Sequence, residues 1–236
     1  MTSCKILRKL SRGDVVTQRV TIPEGFNLFQ IRDRLEARGV TAAGAFMHHA
    51  SDPGFLTGLG IDALTAEGYL FPDTYRFPEG SDARDVIAAM HRRMKSVMKE
   101  MPASVAGLDL HGILTLASLI EKEARIPSER RRIASVFHNR LKLRMKLDCD
   151  PTVRYAVKRF TGPIRVSDLN SDSPYNTYRR AGLPPTPICS PGRESIVAAL
   201  YPEQSSYLFF VAKNDGSHHF SRTLSEHNRA VLLYQR

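Results

Sequence analysis

The 236-residue chain contains no tryptophan and only three cysteines, Cys4, Cys149 and Cys189. The cysteines form no CxxC pair, which argues against a disulfide framework or a zinc site and favours free thiols; a bridge between Cys149 and Cys189 would require an oxidising compartment. The sequence also lacks HExxH, GxSxG and a glycine-rich phosphate loop, the signatures of zinc proteases, serine hydrolases and nucleotide-binding enzymes. We therefore expect neither a catalytic metal nor a cofactor.

No hydrophobic run reaches the ~18 apolar residues of a membrane span, and none follows the basic residues near the N-terminus, as it would in a signal peptide. Residues 1–14 resemble the end of a helix, with Ile6 and Leu10 on one face and Gly13 as a stop. We expect them to be the remnant of an upstream module, and we expect the chain as written to be soluble.

The chain has a formal net charge of +10. A basic surface suits a polyanionic partner such as nucleic acid, anionic lipid headgroups or an acidic cell-wall polymer, but it also occurs in soluble proteins with no such partner. Neither an RNP-like aromatic box nor zinc-finger spacing accompanies the charge. Nucleic acid is therefore not a predicted partner.

The order of the predicted elements indicates an α+β fold in two parts. A β-branched strand over residues 15–22, two short helices that begin after Asn27 and at Thr41, and a second strand within residues 68–77 predict a compact βααβ unit. We assign residues 15–66 to this small module and residues 67–236 to a larger domain.

The larger domain is predicted to be mainly helical. Two strands joined by an Asn-Asp-Gly turn are expected just before the last helix. Residues 148–192 are rich in proline, aspartate, asparagine and tyrosine and predict a long loop region, where binding groups commonly lie on a rigid frame. Helices are expected after Asp82, from Ile113 to about Ile126, from Ser128 to Leu143, from about Pro191, and from Thr223 to Tyr234.

The apolar helix over residues 113–126 contains two acidic residues, Glu121 and Glu123. At about 100° per residue, both side chains point towards packed protein rather than water. Burial raises the pKa of a carboxyl group, which suits a general acid in glycosidic bond cleavage. Arg125 follows Glu121 by four residues and predicts a structural ion pair. The residue four positions after Glu123 is the uncharged Pro127, so Glu123 is the better candidate for a neutral acid.

The sequence leaves the surroundings of these glutamates open. Both would be purely structural if they paired beneath the loop region with Arg125, Arg140 or Arg144. A second carboxylate across a cleft would indicate an ordinary glycosidase, and spacing alone cannot place the candidates Asp148, Asp150, Asp168 and Asp172. The segment Tyr-Asn-Thr-Tyr at residues 175–178 suits the recognition of a sugar chain and, equally, a tight turn closed by two tyrosines.

Seven blocks follow one another in a characteristic order: VTIPEG at 20–25, EGYLFPDTY at 67–75, ASLIEKEA at 117–124, ERRRIASVFHNRL at 129–141, DPTVRY at 150–155, YNTYRRAGLPPTPI at 175–188 and HHFSRTLSEHN at 218–228. Together they resemble the blocks of the MltG (YceG-like) endolytic murein transglycosylases. The resemblance extends over nearly the whole chain from Val15 onward, and the ordered set is far more specific than any single block.

The resemblance implies a small βααβ LysM-like module followed by a mixed α+β YceG-like catalytic domain. It implies internal cleavage of the MurNAc–GlcNAc bond of nascent peptidoglycan, which leaves a 1,6-anhydroMurNAc end and terminates strand elongation. It also implies peptidoglycan strands as substrate, cell-wall synthesis enzymes as candidate partners, and a location at the outer face of the cytoplasmic membrane through an N-terminal anchor that this chain lacks.

The second glutamate of the EKE motif, Glu123, is the catalytic residue that the resemblance implies, and the helical wheel favours the same residue. Five residues match family blocks and are predicted to contact the substrate: Asp150, Thr152, Tyr175, Asn176 and Tyr178. The alternatives are a non-catalytic peptidoglycan-binding protein and a lysozyme-like hydrolase. The resemblance implies no disulfide, because cysteine is not expected at positions 149 and 189.

Overall fold

The computed structural model describes residues 16–102, 105 and 107–235. The predicted remnant of an upstream module, residues 1–14, lies outside these residues. The first part of the chain contains β1 (Thr17–Thr21), α1 (Leu28–Ala37), α2 (Ala43–His49), α3 (Pro53–Leu59), β2 (Thr74–Pro78) and α4 (Ala83–Met98). There follow α5 (Leu110–Glu123), a 3₁₀ turn (Pro127–Glu129), α6 (Arg130–Lys142), α7 (Asp150–Ala156), α8 (Val166–Leu169), α9 (Arg193–Leu200), β3 (Phe209–Ala212), β4 (His218–Ser221) and α10 (Leu224–Tyr234).

The first unit is built on the antiparallel pair β1–β2, in which Val20 lies opposite Tyr75. Asn27 begins α1 with a reciprocal capping box, as predicted from its position. The unit contains a third helix, α3, which the sequence analysis missed because its Asp-Pro-Gly start is typical of a turn; Asp52 caps it instead. Since β2 lies beyond residue 66, the boundary predicted between residues 66 and 67 separates two paired strands, and the unit continues to Pro78.

The helix α5 lies at the centre of a single hydrophobic cluster that draws residues from both predicted parts. Every residue from Gly112 to Ile120 is buried. Its five buried leucine and isoleucine side chains each stabilise the fold by roughly 1.5–3 kcal/mol. The polar residues Thr115 and Ser118 are buried as well, and they donate their hydroxyl protons to the backbone carbonyls of His111 and Thr115. The helix is therefore enclosed from Gly112 to Ile120, whereas Leu110 at its N-terminal end and Lys122 at its C-terminal end are exposed.

The C-terminal half surrounds this end of α5. Helices α6 and α9 pack against α5, and the hairpin β3–β4 packs against α6 and α10. The predicted loop region over residues 148–192 contains two short helices, α7 and α8, and Asp150 is the first residue of α7. Among the described residues, none of the helices is long and apolar enough to cross a membrane.

Candidate active site

A cleft of about 580 Å³ lies where the C-terminal end of α5 meets the β3–β4 hairpin. Glu123, the last residue of α5, lines this cleft. Asp150 comes from the start of α7, Phe210 and His218 from the hairpin, and His227 from α10. The cleft thus collects side chains from segments that are far apart in sequence.

The half-buried carboxyl group of Glu123 is held by one close donor, the thiol of Cys149, whose Sγ donates to Oε1 at 3.2 Å. Burial raises the pKa of Glu123 to about 7; the thiol hydrogen bond opposes this rise, the charge of Asp150 adds to it, and the charge of Arg125 opposes it. Glu123 is therefore substantially protonated near neutral pH. A group in this state can both donate and accept a proton.

Asp150 and Tyr178 form a hydrogen-bonded pair within the same cleft. The hydroxyl of Tyr178 donates to Oδ1 of Asp150 at 2.6 Å, and both residues line the cleft with Glu123. Burial and the neighbouring Asp150 raise the pKa of the Tyr178 phenol, so it remains a neutral donor at physiological pH. Two of the five residues predicted to contact substrate are therefore next to the candidate acid.

The other three predicted contact residues lie elsewhere. Thr152 and Asn176 are fully buried. Thr152 donates to the carbonyl of Cys149, and the Asn176 amide donates to the carbonyls of Leu169 and Ser171. Their predicted contact with substrate is corrected to a supporting role in the loop that contains Asp150 and Tyr178, because neither side chain has free surface.

Tyr175 is also not among the residues that line the cleft. Its ring packs against Tyr155, with the ring centroids 5.0 Å apart, and its hydroxyl is 2.9 Å from Oγ1 of Thr186. Both interpretations of residues 175–178 therefore apply in part: Tyr175 belongs to a packed turn, and Tyr178 lines the cleft.

The structure does not contain the predicted ion pair between Glu121 and Arg125. Helix α5 ends at Glu123 and Ala124 is already extended, so the four-residue helical spacing does not reach Arg125. Glu121 instead accepts a hydrogen bond from the backbone N–H of Gly192 at 3.1 Å and lies 3.9 Å from the guanidinium of Arg130. Glu121 therefore has other partners than the predicted one, and its carboxyl group does not line the cleft.

Three cationic or titratable residues line the cleft that sequence reasoning did not place there: Arg140, His218 and His227. Arg140 was considered as a partner of the glutamates, but it pairs with Asp148 at 2.9 Å and donates to the carbonyls of Lys146 and Leu147. It thereby holds the chain just before Cys149 and Asp150. His218 and His227 both belong to the block HHFSRTLSEHN, but nothing in the spacing of that block indicates which histidine faces the cleft.

Both cysteines of the described region, Cys149 and Cys189, are free and buried. Within that region, His48, His49 and Asp52 have potential metal-ligating atoms within 4.8 Å of one another. Asp52 already caps α3, and the guanidinium of Arg84 lies 3.5 Å from the His49 ring. These residues belong to the first unit and are not among those that line the cleft.

A sequence model described as the YceG-like family matches residues 1–232. The chain belongs to the YceG-like family. A crystallised YceG-like protein from Listeria monocytogenes superposes with a TM-score of 0.79 at 36% identity, covering 98% of this chain and 81% of that one. The mixed arrangement of helices and small sheets described above is thus a YceG-like fold.

Two relatives of this YceG-like chain have the name endolytic murein transglycosylase. The Bacillus subtilis protein is 45% identical over 171 residues, which cover 71% of this chain and 48% of that protein. The Streptococcus pneumoniae strain D39 protein is 30% identical over 265 residues, which cover 98% of this chain and 48% of that protein. The chain therefore spans about half the length of these relatives.

Proposed function

We propose that this chain is an endolytic lytic transglycosylase that cleaves the MurNAc–GlcNAc bond of peptidoglycan and leaves a 1,6-anhydroMurNAc end, which terminates strand elongation. The principal support is Glu123, a carboxyl group that faces the cleft with its pKa raised to about 7. The names of the bacterial relatives support the substrate, a murein glycan strand.

The reaction requires one group that donates a proton and then accepts one. Protonated Glu123 donates to the glycosidic oxygen as the bond from that oxygen to C1 of the muramyl residue breaks. The resulting carboxylate accepts the proton of the muramyl C6 hydroxyl while the C6 oxygen bonds to C1. Because the nucleophile belongs to the substrate, the reaction requires neither a water molecule nor a second carboxylate. The C6 hydroxyl is held close to C1 and takes the place of an external nucleophile.

Neighbouring residues have supporting roles in this proposal. The Cys149 thiol holds one carboxyl oxygen of Glu123 at 3.2 Å. Asp150 and Tyr178 bind the strand beside it, since the exposed Asp150 can accept hydrogen bonds from sugar hydroxyls while Tyr178 fixes its orientation at 2.6 Å. We assign the unit from Thr17 to Pro78 to a LysM-like role in glycan binding, and we expect the protein to act at the outer face of the cytoplasmic membrane, with cell-wall synthesis enzymes as candidate partners.

A lysozyme-like hydrolase is the second candidate, and one observation favours it. Asp150 lines the same cleft as Glu123 and influences its pKa, so a second carboxylate is available to activate water or to stabilise a glycosyl cation. A hydrolase would leave reducing ends, each heavier by one water than an anhydro end. The two reactions are therefore separated by the mass of the product.

The test is digestion of purified peptidoglycan followed by mass spectrometry of the released fragments. We expect anhydro ends from the wild-type chain and a fall in rate of about 10²–10⁴-fold in Glu123→Gln, the range for losing a general acid. Glu121→Gln is the matched control, because glutamine still accepts the N–H of Gly192, and it should remain active. Reducing ends would establish the hydrolase, and binding to sacculi without any release would establish a non-catalytic wall-binding protein.

A further inference from the structure

We infer that His218 is a second residue that contacts the glycan in this cleft, and that Glu129 positions its imidazole ring. The inference rests on the proposed function, since it takes the cleft of Glu123 to be the glycan site. His218 is the first residue of β4, and Glu129 is the last residue of the 3₁₀ turn after α5. The mechanism above uses neither residue.

The two residues form a buried pair joined by two hydrogen bonds. Nδ1 of His218 lies 2.7 Å from Oε2 of Glu129, and the backbone N–H of His218 donates to Oε1 at 3.0 Å. Both residues are only 8% exposed. The carboxylate therefore fixes the ring in position and also selects its tautomer, because an ionised carboxylate can only accept and Nδ1 must then hold the proton.

The other ring nitrogen, Nε2, is available to a ligand. It has no hydrogen-bond partner within the described part of the chain, and it is not among the atoms there that are sealed from solvent without a partner. His218 itself lines the cleft that contains Glu123. Nε2 presents a lone pair when the ring is neutral and an N–H when the ring is protonated. A sugar hydroxyl fits this position, because a hydroxyl can both donate and accept.

The surroundings of His218 are also typical of a site for sugar. The ring of Phe210, another cleft residue, meets the His218 ring edge-on, with the centroids 5.4 Å apart. An aromatic wall beside a few oriented polar groups is the usual composition of a ligand-binding cleft. Glu123 and Asp150 provide acidic groups in the same cleft, and His218 adds a fixed hydrogen-bonding group on the hairpin.

The competing interpretation is that the pair only ties the 3₁₀ turn to the hairpin, across 89 positions of sequence. Two substitutions of His218 separate the interpretations. Asparagine has its amide near the position of Nδ1, so it can still donate to Glu129 but places nothing at the position of Nε2. Glutamine reaches the position of Nε2. A structural role predicts that His218→Asn behaves like wild type, whereas a contact role predicts a loss that His218→Gln partly restores.

Glu129→Gln tests the positioning role. Its carbonyl can still accept the backbone N–H of His218, but its amide donates towards Nδ1, which must then accept, so the ring proton moves to Nε2. The corresponding exchange of a carboxylate for an amide beside a catalytic histidine in serine proteases impairs catalysis through the wrong tautomer. Nitrogen-15 NMR of the histidine rings should show His218 protonated at Nδ1 in the wild-type chain and at Nε2 in Glu129→Gln.

The experiment measures kcat and KM for soluble glycan strands and, separately, the binding of each variant to purified sacculi in a Glu123→Gln background. We expect His218→Asn and Glu129→Gln to reduce kcat/KM at least tenfold and to weaken sacculus binding, with unchanged thermal unfolding. His219→Ala is the matched control; this neighbour packs against Tyr234, with the ring centroids 5.8 Å apart, and its loss should change neither quantity.

The outcomes distinguish the inference from the proposed function. If the wild-type chain releases anhydro ends and His218→Asn retains full kcat/KM and full binding, the inference is overturned and the proposed function stands. If no cleavage occurs but His218→Asn still weakens binding to sacculi, the contact role stands and the catalytic proposal fails. If the wild-type chain neither cleaves nor binds peptidoglycan, both are overturned.

Discussion

The thiol of Cys149 provides a direct test of how the protonation of Glu123 is controlled. Its Sγ donates to Oε1 of Glu123 at 3.2 Å, and burial raises the pKa of the thiol itself, so it remains a neutral donor across the working pH range. A hydrogen bond to the carboxyl group stabilises its ionised form and lowers its pKa. Removing the donor in Cys149→Ala should therefore raise the pKa of Glu123 above its present value of about 7.

The magnitude follows from the strength of the bond. Hydrogen bonds to charged groups contribute roughly 1.5–3 kcal/mol, and a thiol is a weak donor, so about 1 kcal/mol is a reasonable estimate for this one. At roughly 1.4 kcal/mol per pKa unit, that free energy corresponds to a rise of about 0.7. Cys149→Ser should act in the opposite direction, because a hydroxyl is the stronger donor and would lower the pKa of Glu123.

The assay is the pH dependence of kcat/KM, which reports ionisations of the free enzyme. Glu123 must be protonated to act as an acid, so activity declines as the pH rises through its pKa. This alkaline limb should move to higher pH in Cys149→Ala and to lower pH in Cys149→Ser. Cys189→Ala is the matched control, since its equally buried thiol donates to the carbonyl of Ser118 at 3.4 Å instead. If the limb moves in the same direction in both Cys149 variants, or moves equally in Cys189→Ala, then the Cys149 thiol does not control the pKa of Glu123.

Two further predictions concern stability. Burial raises the pKa of Glu67 to about 7 from 4.5, and its carboxyl group accepts hydrogen bonds from the Leu28 N–H and the hydroxyl of Tyr155. The unfolded chain therefore loses this proton first as the pH rises, and stability falls between about pH 4.5 and 7 by roughly 3 kcal/mol. Glu67→Gln should remove that loss, so that denaturant unfolding at pH 8 gives a higher free energy of unfolding for the variant than for the wild-type chain. Parallel profiles of stability against pH in the two proteins would contradict this. Gly68 has a φ of +79°, and an added Cβ would lie 2.3 Å from Cβ of Pro187. Gly68→Ala should therefore lower the free energy of unfolding by about 2–5 kcal/mol, from the left-handed backbone and overpacking together. Gly80 has a φ of +70° with open space around it, so Gly80→Ala should lose only the backbone part. Equal losses of stability in the two variants would contradict the packing argument.

Several elements could be predicted because their signals are local. Asn27 caps α1, and the Asn-Asp-Gly turn joins β3 to β4, both as expected. The last helix, predicted from Thr223 to Tyr234, is present as Leu224–Tyr234, with Thr223 as its cap. These features depend on residues within a few positions of one another, where backbone preferences and side-chain caps act. The errors arose where local signals were ambiguous: α3 begins with turn-forming residues, and α7 and α8 are short segments inside a proline-rich region.

The candidate site was predictable only in part. Glu123 was predicted to be a neutral acid because the helical wheel placed it on an apolar surface and the residue four positions later is the uncharged Pro127; burial raises its pKa to about 7. The structure corrected Glu121, because α5 ends before Arg125 and leaves Arg130 and Gly192 as partners. Thr152 and Asn176 are polar residues in the expected blocks, but residue type does not reveal that their side chains donate hydrogen bonds to backbone carbonyls.

The central apolar helix, its two acids and the family to which the chain belongs can be recognised in the sequence, because helical periodicity and ordered blocks are properties of the chain as written. Which side chains share the cleft depends on the folded arrangement of distant segments. The Cys149 thiol reaches Glu123 across 26 positions, and Glu129 reaches His218 across 89. Such contacts result from the packing of distant segments around one core, and no short-range pattern contains that information. The same packing places Glu123 in the cleft and Glu121 against the backbone N–H of Gly192, although the two residues are only two positions apart on one helix.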